Sequence, residues 1–63
     1  MHIRLREVRE AKLLTQVELA ELARLSEATI VRIETGQHEP RISTVRRLAQ
    51  ALGVEPVELV IRD

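Results

Sequence analysis

The sequence predicts a small all-α domain, and three observations predict it. Glycine and proline occur only at Gly36, Gly53, Pro40 and Pro56, and they cut the chain into segments of helical length. Within those segments apolar residues recur at spacings of three and four, and none alternates apolar and polar residues with period two, so no sheet is expected. Residues able to cap helices, Thr15, Ser26 and Ser43, stand just ahead of the periodic runs. Five helices are expected, near residues 3–13, 16–23, 27–35, 44–52 and 56–61, in a single domain over 1–63.

The first helix follows from Leu5, Val8 and Leu13 or Leu14 at helical spacing, with Arg4, Arg6, Glu7, Glu10 and Lys12 on the other faces. Thr15-Gln16-Val17-Glu18 then matches a capping box, in which the Thr15 hydroxyl accepts from the backbone N–H three residues on and the Glu18 carboxylate reaches back. The second helix turns Leu19, Ala20 and Ala23 inward and gives way to a turn at Arg24-Leu25. Ser26 caps the third helix, and the Glu27 carboxylate suits the positive end of its dipole. Ile30 and Ile33 point one way on that helix; Ala28, Val31, Arg32 and Thr35 point the other. Gly36 is its stop.

Gln37 to Ile42 reads as a loop, where Pro40 biases Glu39 away from helix. Ser43 is the expected cap of the fourth helix, whose stripe is Val45, Leu48, Ala49 and Leu52, with Arg46, Arg47 and Gln50 facing out. Gly53 ends it. Pro56 suits the first turn of a short fifth helix running to about Ile61.

Composition narrows the function classes. A chain of 63 residues buries only about 60% of its unfolded surface, and with no cysteine and no aromatic residue its core rests on aliphatic packing alone. Charges interrupt the apolar residues of Met1-His2-Ile3-Arg4-Leu5-Arg6 at once, so no signal peptide is expected, and no apolar stretch approaches the roughly 20 residues of a membrane helix. A cytoplasmic protein is expected. His2 and His38 are the only histidines, so no metal site is expected, and no cofactor or small-molecule ligand is evident. There is no Ser–His–Asp grouping and no glycine-rich phosphate loop, which argues against an enzyme. The formal net charge is zero, where nucleic-acid binders are usually basic, so the placement of charges matters more than their sum.

The helices at 16–23 and 27–35 are joined by about three residues, which forces a sharp crossing and leaves the second helix protruding. The major groove of DNA is wide enough to admit one such helix. The run Arg9-Glu10-Ala11-Lys12-Leu13-Leu14-Thr15-Gln16-Val17-Glu18-Leu19-Ala20 resembles the opening of the phage Cro and repressor family, also called the XRE family. Ser26-Glu27-Ala28-Thr29-Ile30-Val31-Arg32-Ile33-Glu34-Thr35-Gly36 resembles its recognition helix, and Pro40 with Leu48-Ala49-Gln50-Ala51-Leu52-Gly53-Val54 its loop and fourth helix. The resemblance implies a compact five-helix bundle of the lambda-repressor type that binds double-stranded DNA, as a transcriptional regulator and a weak homodimer.

The resemblance also implies roles. Gln16 matches a position that contacts backbone phosphate, in keeping with the free N–H groups of a helix start. Glu27, Ala28, Thr29, Val31 and Arg32 match the groove-facing stretch. Arg32 is suited to guanine O6 and N7, Glu27 to cytosine N4 or only to the helix start, and Ala28 and Val31 to a thymine methyl. Thr29, Gln37, His38 and Arg41 are expected along the DNA backbone, and Arg9 and Glu34 match a structural ion pair. Arg24 and Leu13 stand where the family often has glycine, and Leu22, Val17 and Val31 stand at positions usually polar.

A second reading stays open beside this one. Zero net charge, Glu27 and Glu39 near the expected DNA face, and the extra surface Leu and Val suit a protein-interaction module on the same fold, such as an antitoxin or accessory regulator.

Overall fold

The computed structural model describes residues 2–61; Met1, Arg62 and Asp63, included in the expected 1–63 domain, lie outside the described residues. The elements in order are α1 (Leu5–Ala11), α2 (Gln16–Ala23), α3 (Glu27–Glu34), α4 (Ile42–Leu52) and α5 (Pro56–Leu59). Each helix sends one large aliphatic side chain to the centre: Leu5, Leu19, Ile30, Leu48 and Leu59 are essentially inaccessible to solvent. Burying such a side chain contributes about 1.5–3 kcal/mol. Ala20, Ala23, Ile33, Val45, Ala49 and Leu52 complete the buried cluster.

α2 and its flanks behave as their residues dictate. Thr15 Oγ1 accepts from the Glu18 N–H at 3.0 Å, and the Glu18 carboxylate accepts from the Thr15 N–H at 2.9 Å. The hydrogen bond from Thr15 lowers the pKa of Glu18. This cap is therefore at full strength above the ordinary glutamate range and weakens as the pH falls through the lowered value. Arg24 follows α2 in the left-handed region, with φ 58° and ψ 43°. The Leu25 N–H then returns to the Ala20 carbonyl at 2.9 Å, closing the helix end. The departure from glycine at this position has not produced a different turn: arginine adopts the left-handed geometry at a cost of roughly 1–2 kcal/mol. Leu13 does the same at φ 60° and is 89% exposed.

Five boundaries differ from expectation; two are small, α1 ending at Ala11 rather than residue 13 because Lys12 is its C-cap and Leu13 takes a positive φ, and α3 ending at Glu34 rather than residue 35, where Thr35 is its C-cap. α1 does not begin at residue 3, because the main chain ahead of Leu5 pairs with the other end of the molecule. Ile3 and Val60 form an isolated antiparallel bridge, the Arg4 N–H donates to the Leu59 carbonyl at 2.8 Å, and the Ile61 N–H donates to the His2 carbonyl at 3.1 Å. The same pairing ends α5 at Leu59 rather than Ile61, with Val60 extended at φ −77° and ψ 131°. A single bridge has no period-two pattern to read. α4 begins at Ile42, ahead of Ser43, with Arg41 extended at its N-cap and no side-chain cap hydrogen bond. Pro40 is buried and Arg41 after it is still extended, so the helix starts at Ile42 and Ser43 lies inside the first turn. No helix among the described residues is long and apolar enough to cross a membrane.

The left-handed turn yields a test. Arg24→Gly should keep the stability within about 1 kcal/mol of the parent or raise it, since relief of strain offsets the added chain entropy. Arg24→Val should lower it further than that, because a β-branched residue tolerates positive φ worst. Urea denaturation of the two variants checks the order.

Candidate nucleic-acid interface

α2 and α3 are joined by Arg24-Leu25-Ser26, and the second of these helices presents one face to solvent. Ser26 Oγ accepts from the Thr29 N–H at 3.1 Å and lies 2.8 Å from Thr29 Oγ1, so the cap engages the Thr29 hydroxyl as well. Ile30 and Ile33 are buried, whereas Glu27, Ala28 and Arg32 are exposed and Thr29 and Val31 are half-buried. The helix is held by its apolar edge, and its outer edge carries a carboxylate, a methyl group and a guanidinium. Arg32 is the only cation on α3.

The end of α3 is tied to the loop that follows. The Arg32 carbonyl accepts from the Gln37 N–H at 2.9 Å and the His38 N–H at 3.2 Å. Gly36 supplies the positive φ of 78° that lets the chain double back. Gln37 and His38 are exposed, and so is Arg41, at the N-cap of α4. His38 lines a cleft of ≈ 200 Å³ with His2, Ile3 and Ile61, beside the paired chain ends. Among the described residues no group of three or more histidine, cysteine or acidic side chains is arranged to hold a metal ion.

Behind this face lies a polar cluster. Arg9 Nε donates to Glu34 Oε2 at 2.7 Å and Arg9 Nη2 donates to Glu34 Oε1 at 3.1 Å, a two-pronged pair whose side chains are only 10% and 3% exposed. The hydrogen bond to Glu34 raises the pKa of Arg9 further, against the opposing effect of burial. Arg9 Nη1 donates to the Leu14 carbonyl at 2.7 Å, and Gln16 Nε2 donates to Glu34 Oε1 at 3.1 Å. No buried side-chain nitrogen or oxygen among the described residues lacks a partner. The structure thus brings Arg9, Gln16 and Glu34 together and leaves Glu27, Ala28 and Arg32 on the outer edge of α3. The link from Gln16 to Glu34 is absent from the sequence reading, and so is the bond from Arg9 to Leu14: neither an amide at a helix start nor a backbone carbonyl carries a spacing signal.

The sequence pattern of the family described as helix-turn-helix matches residues 5–59. The chain belongs to the XRE-type helix-turn-helix family. It is 39% identical over 57 residues to the immunity repressor protein of Bacillus phage phi105, covering 90% of this chain but 40% of that protein. An uncharacterized HTH-type transcriptional regulator of Methanothermobacter thermautotrophicus is 40% identical over 58 residues, covering 92% of this chain and 84% of its own length. The putative antitoxin HigA2 of Mycobacterium tuberculosis is 38% identical over 60 residues, and the helix-turn-helix chain spans 58% of its length. Among solved structures, the restriction-modification controller protein C.AhdI from Aeromonas hydrophila superposes with a TM-score of 0.88 at 42% identity, over 90% of this chain and 86% of that one.

The helix-turn-helix core is expected to depend on the Arg9 pair. Arg9→Ala strands the Glu34 carboxylate and should lower stability by about 3–5 kcal/mol. Replacing both partners, as Arg9→Met with Glu34→Leu, should recover part of that loss, because no charge is left buried and unpaired. Thermal melts of the single and double variants check this; a single variant that melts like the parent would remove the pair from the fold's support.

Proposed function

We propose that this chain is a transcriptional regulator that binds double-stranded DNA sequence-specifically, with α3 entering the major groove. The observation that carries the reading is the two-sidedness of α3: Ile30 and Ile33 anchor it in the core while Glu27, Ala28 and Arg32 stay open. Its two ends are fixed, one by the Ser26 cap and the other by Glu34. A helix so held can enter a groove without first being ordered, and that ordering is a cost most peptides meet on binding. Its kinship with a phage repressor and with HTH-type transcriptional regulators supports the same reading.

Roles follow from chemistry and exposure. Arg32 grips guanine through its forked donors, Ala28 and Val31 meet thymine methyls, and Glu27 accepts from cytosine N4. Gln16, Thr29, Gln37, His38 and Arg41 hold the backbone. Gln16 does so with its remaining amide hydrogen, since one goes to Glu34. Thr29 shares its hydroxyl with the Ser26 cap, so its phosphate bond is the weaker one. The protein acts in the cytoplasm as a weak homodimer strengthened by DNA, with half-sites about 10 bp apart. Val57 and Ile61 are exposed apolar residues suited to that contact, whereas Val60 is half-buried in its bridge with Ile3.

The test separates reading from holding. On a duplex selected from a random pool, Arg32→Ala should cost about 1–3 kcal/mol, and far less on unselected DNA. Arg41→Ala should weaken both alike and reduce the salt slope by about one. Titrations at several salt concentrations measure this. Equal loss on both duplexes for Arg32→Ala would overturn its role, and no shift with any duplex at low salt would favour the protein-interaction reading. Sedimentation with the selected duplex checks the dimer: two chains per duplex are expected, and one per duplex at saturation counts against it.

A further inference from the structure

The far ends of α2 and α4 enclose an open groove of ≈ 520 Å³ lined by Leu22, Ala23, Arg24, Arg47, Gln50 and Ala51. Leu22 is six residues along α2 from Gln16, and Arg47 is six residues beyond Arg41, about 9 Å of helix in each case, while Arg24 stands three residues ahead of Glu27. Three of its lining residues are apolar, two are cations and one is an amide; none is acidic. Among the described residues neither Arg24 nor Arg47 is paired with a carboxylate, unlike Arg6 and Arg9. Leu22 is 57% exposed, an open aliphatic surface in a lining that also carries two guanidinium groups.

The backbone at Arg24 is left-handed, a conformation in which glycine is unstrained, so a groove-lining guanidinium can be removed there without loss of the turn.

We propose that this groove docks a partner protein through an acidic segment that carries an aliphatic side chain. The aliphatic group lies on Leu22 and Ala51, flanking carboxylates meet Arg24 and Arg47, and Gln50 hydrogen-bonds the segment's backbone. A guanidinium suits this because its planar fork matches a carboxylate with two hydrogen bonds. A nucleic-acid backbone fits the groove less well, since it is anionic throughout and brings no aliphatic group to the apolar floor.

The experiment uses the intact chain and a short synthetic peptide with one leucine flanked by glutamates. Amide resonances of Leu22, Ala23, Gln50 and Ala51 should shift saturably, and a peptide with glutamine for glutamate should bind about ten-fold more weakly, as two ion pairs are lost. Arg24→Gly and Arg47→Gln should each weaken the acidic peptide about three-fold. Arg24→Gly is the variant of choice, because that position accepts glycine. Equal binding of the two peptides, or shifts confined to α3, would overturn the proposal. So would a fall in salt slope for DNA in either variant, which would make the groove a phosphate contact. A loss of self-association would make it a contact with a second copy instead. Because these readouts on the peptide need no DNA, the proposal fails or stands independently of the DNA-binding reading.

Discussion

One buried ion pair sets the geometry of the whole face. Arg9 belongs to α1 and Glu34 to α3, and between them they also reach the Leu14 carbonyl before α2 and the amide of Gln16, its first residue. Four pieces of chain are thereby held in register by one guanidinium and one carboxylate. In a core made only of aliphatic side chains, van der Waals contact is forgiving: leucines and valines can slide and repack at small cost. A two-pronged charged pair is not forgiving, because a small displacement leaves a charge in low dielectric without its partner. The aliphatic cluster supplies the driving force, and the pair fixes the relative position of α3 and the start of α2.

That division explains how the surface can be neutral overall and still have distinct faces. The charges sum to zero, but they are not mixed evenly. Several acids are consumed locally: Glu18 by the α2 cap, Glu34 by Arg9, and Glu58 by the Glu55 N–H at 2.7 Å. Arg24, Arg32 and Arg47, like Arg4, Lys12, Arg41 and Arg46, have no carboxylate partner among the described residues, so free guanidinium groups stand on the outer edge of α3 and in the groove between α2 and α4. Potential at a surface is set by such local imbalance rather than by the total.

Much of this was legible in the sequence, and the reasons are local. α2 lies at 16–23 as expected, because the Thr15 capping box and the turn at Arg24 act within a few residues of themselves. α3 begins at Glu27 because Ser26 is an effective cap, and Ile30 and Ile33 turn inward because only they continue the apolar spacing. What escaped the sequence depends on partners far along the chain. The early end of α5 and the late start of α1 are one event, the pairing of Ile3 with Val60, and nothing in either segment alone announces it. α4 starts at Ile42 behind Arg41, with no capping side chain, so Ser43 pointed to the wrong position. On the site, the exposed edge of α3 was readable from periodicity, but the attachment of Gln16 to Glu34 required the fold.

The bridge between Ile3 and Val60 has a consequence of another kind. His2 and Ile61 share a hydrogen bond, so the chain enters and leaves the fold at one place. A unit with adjacent entry and exit can be spliced into a loop of an unrelated protein without prying its host apart. By the same token a short linker from 61 to 2 would close the backbone into a ring, and new ends could be cut in an exposed turn, with the order of the helices along the gene changed and their arrangement in space retained.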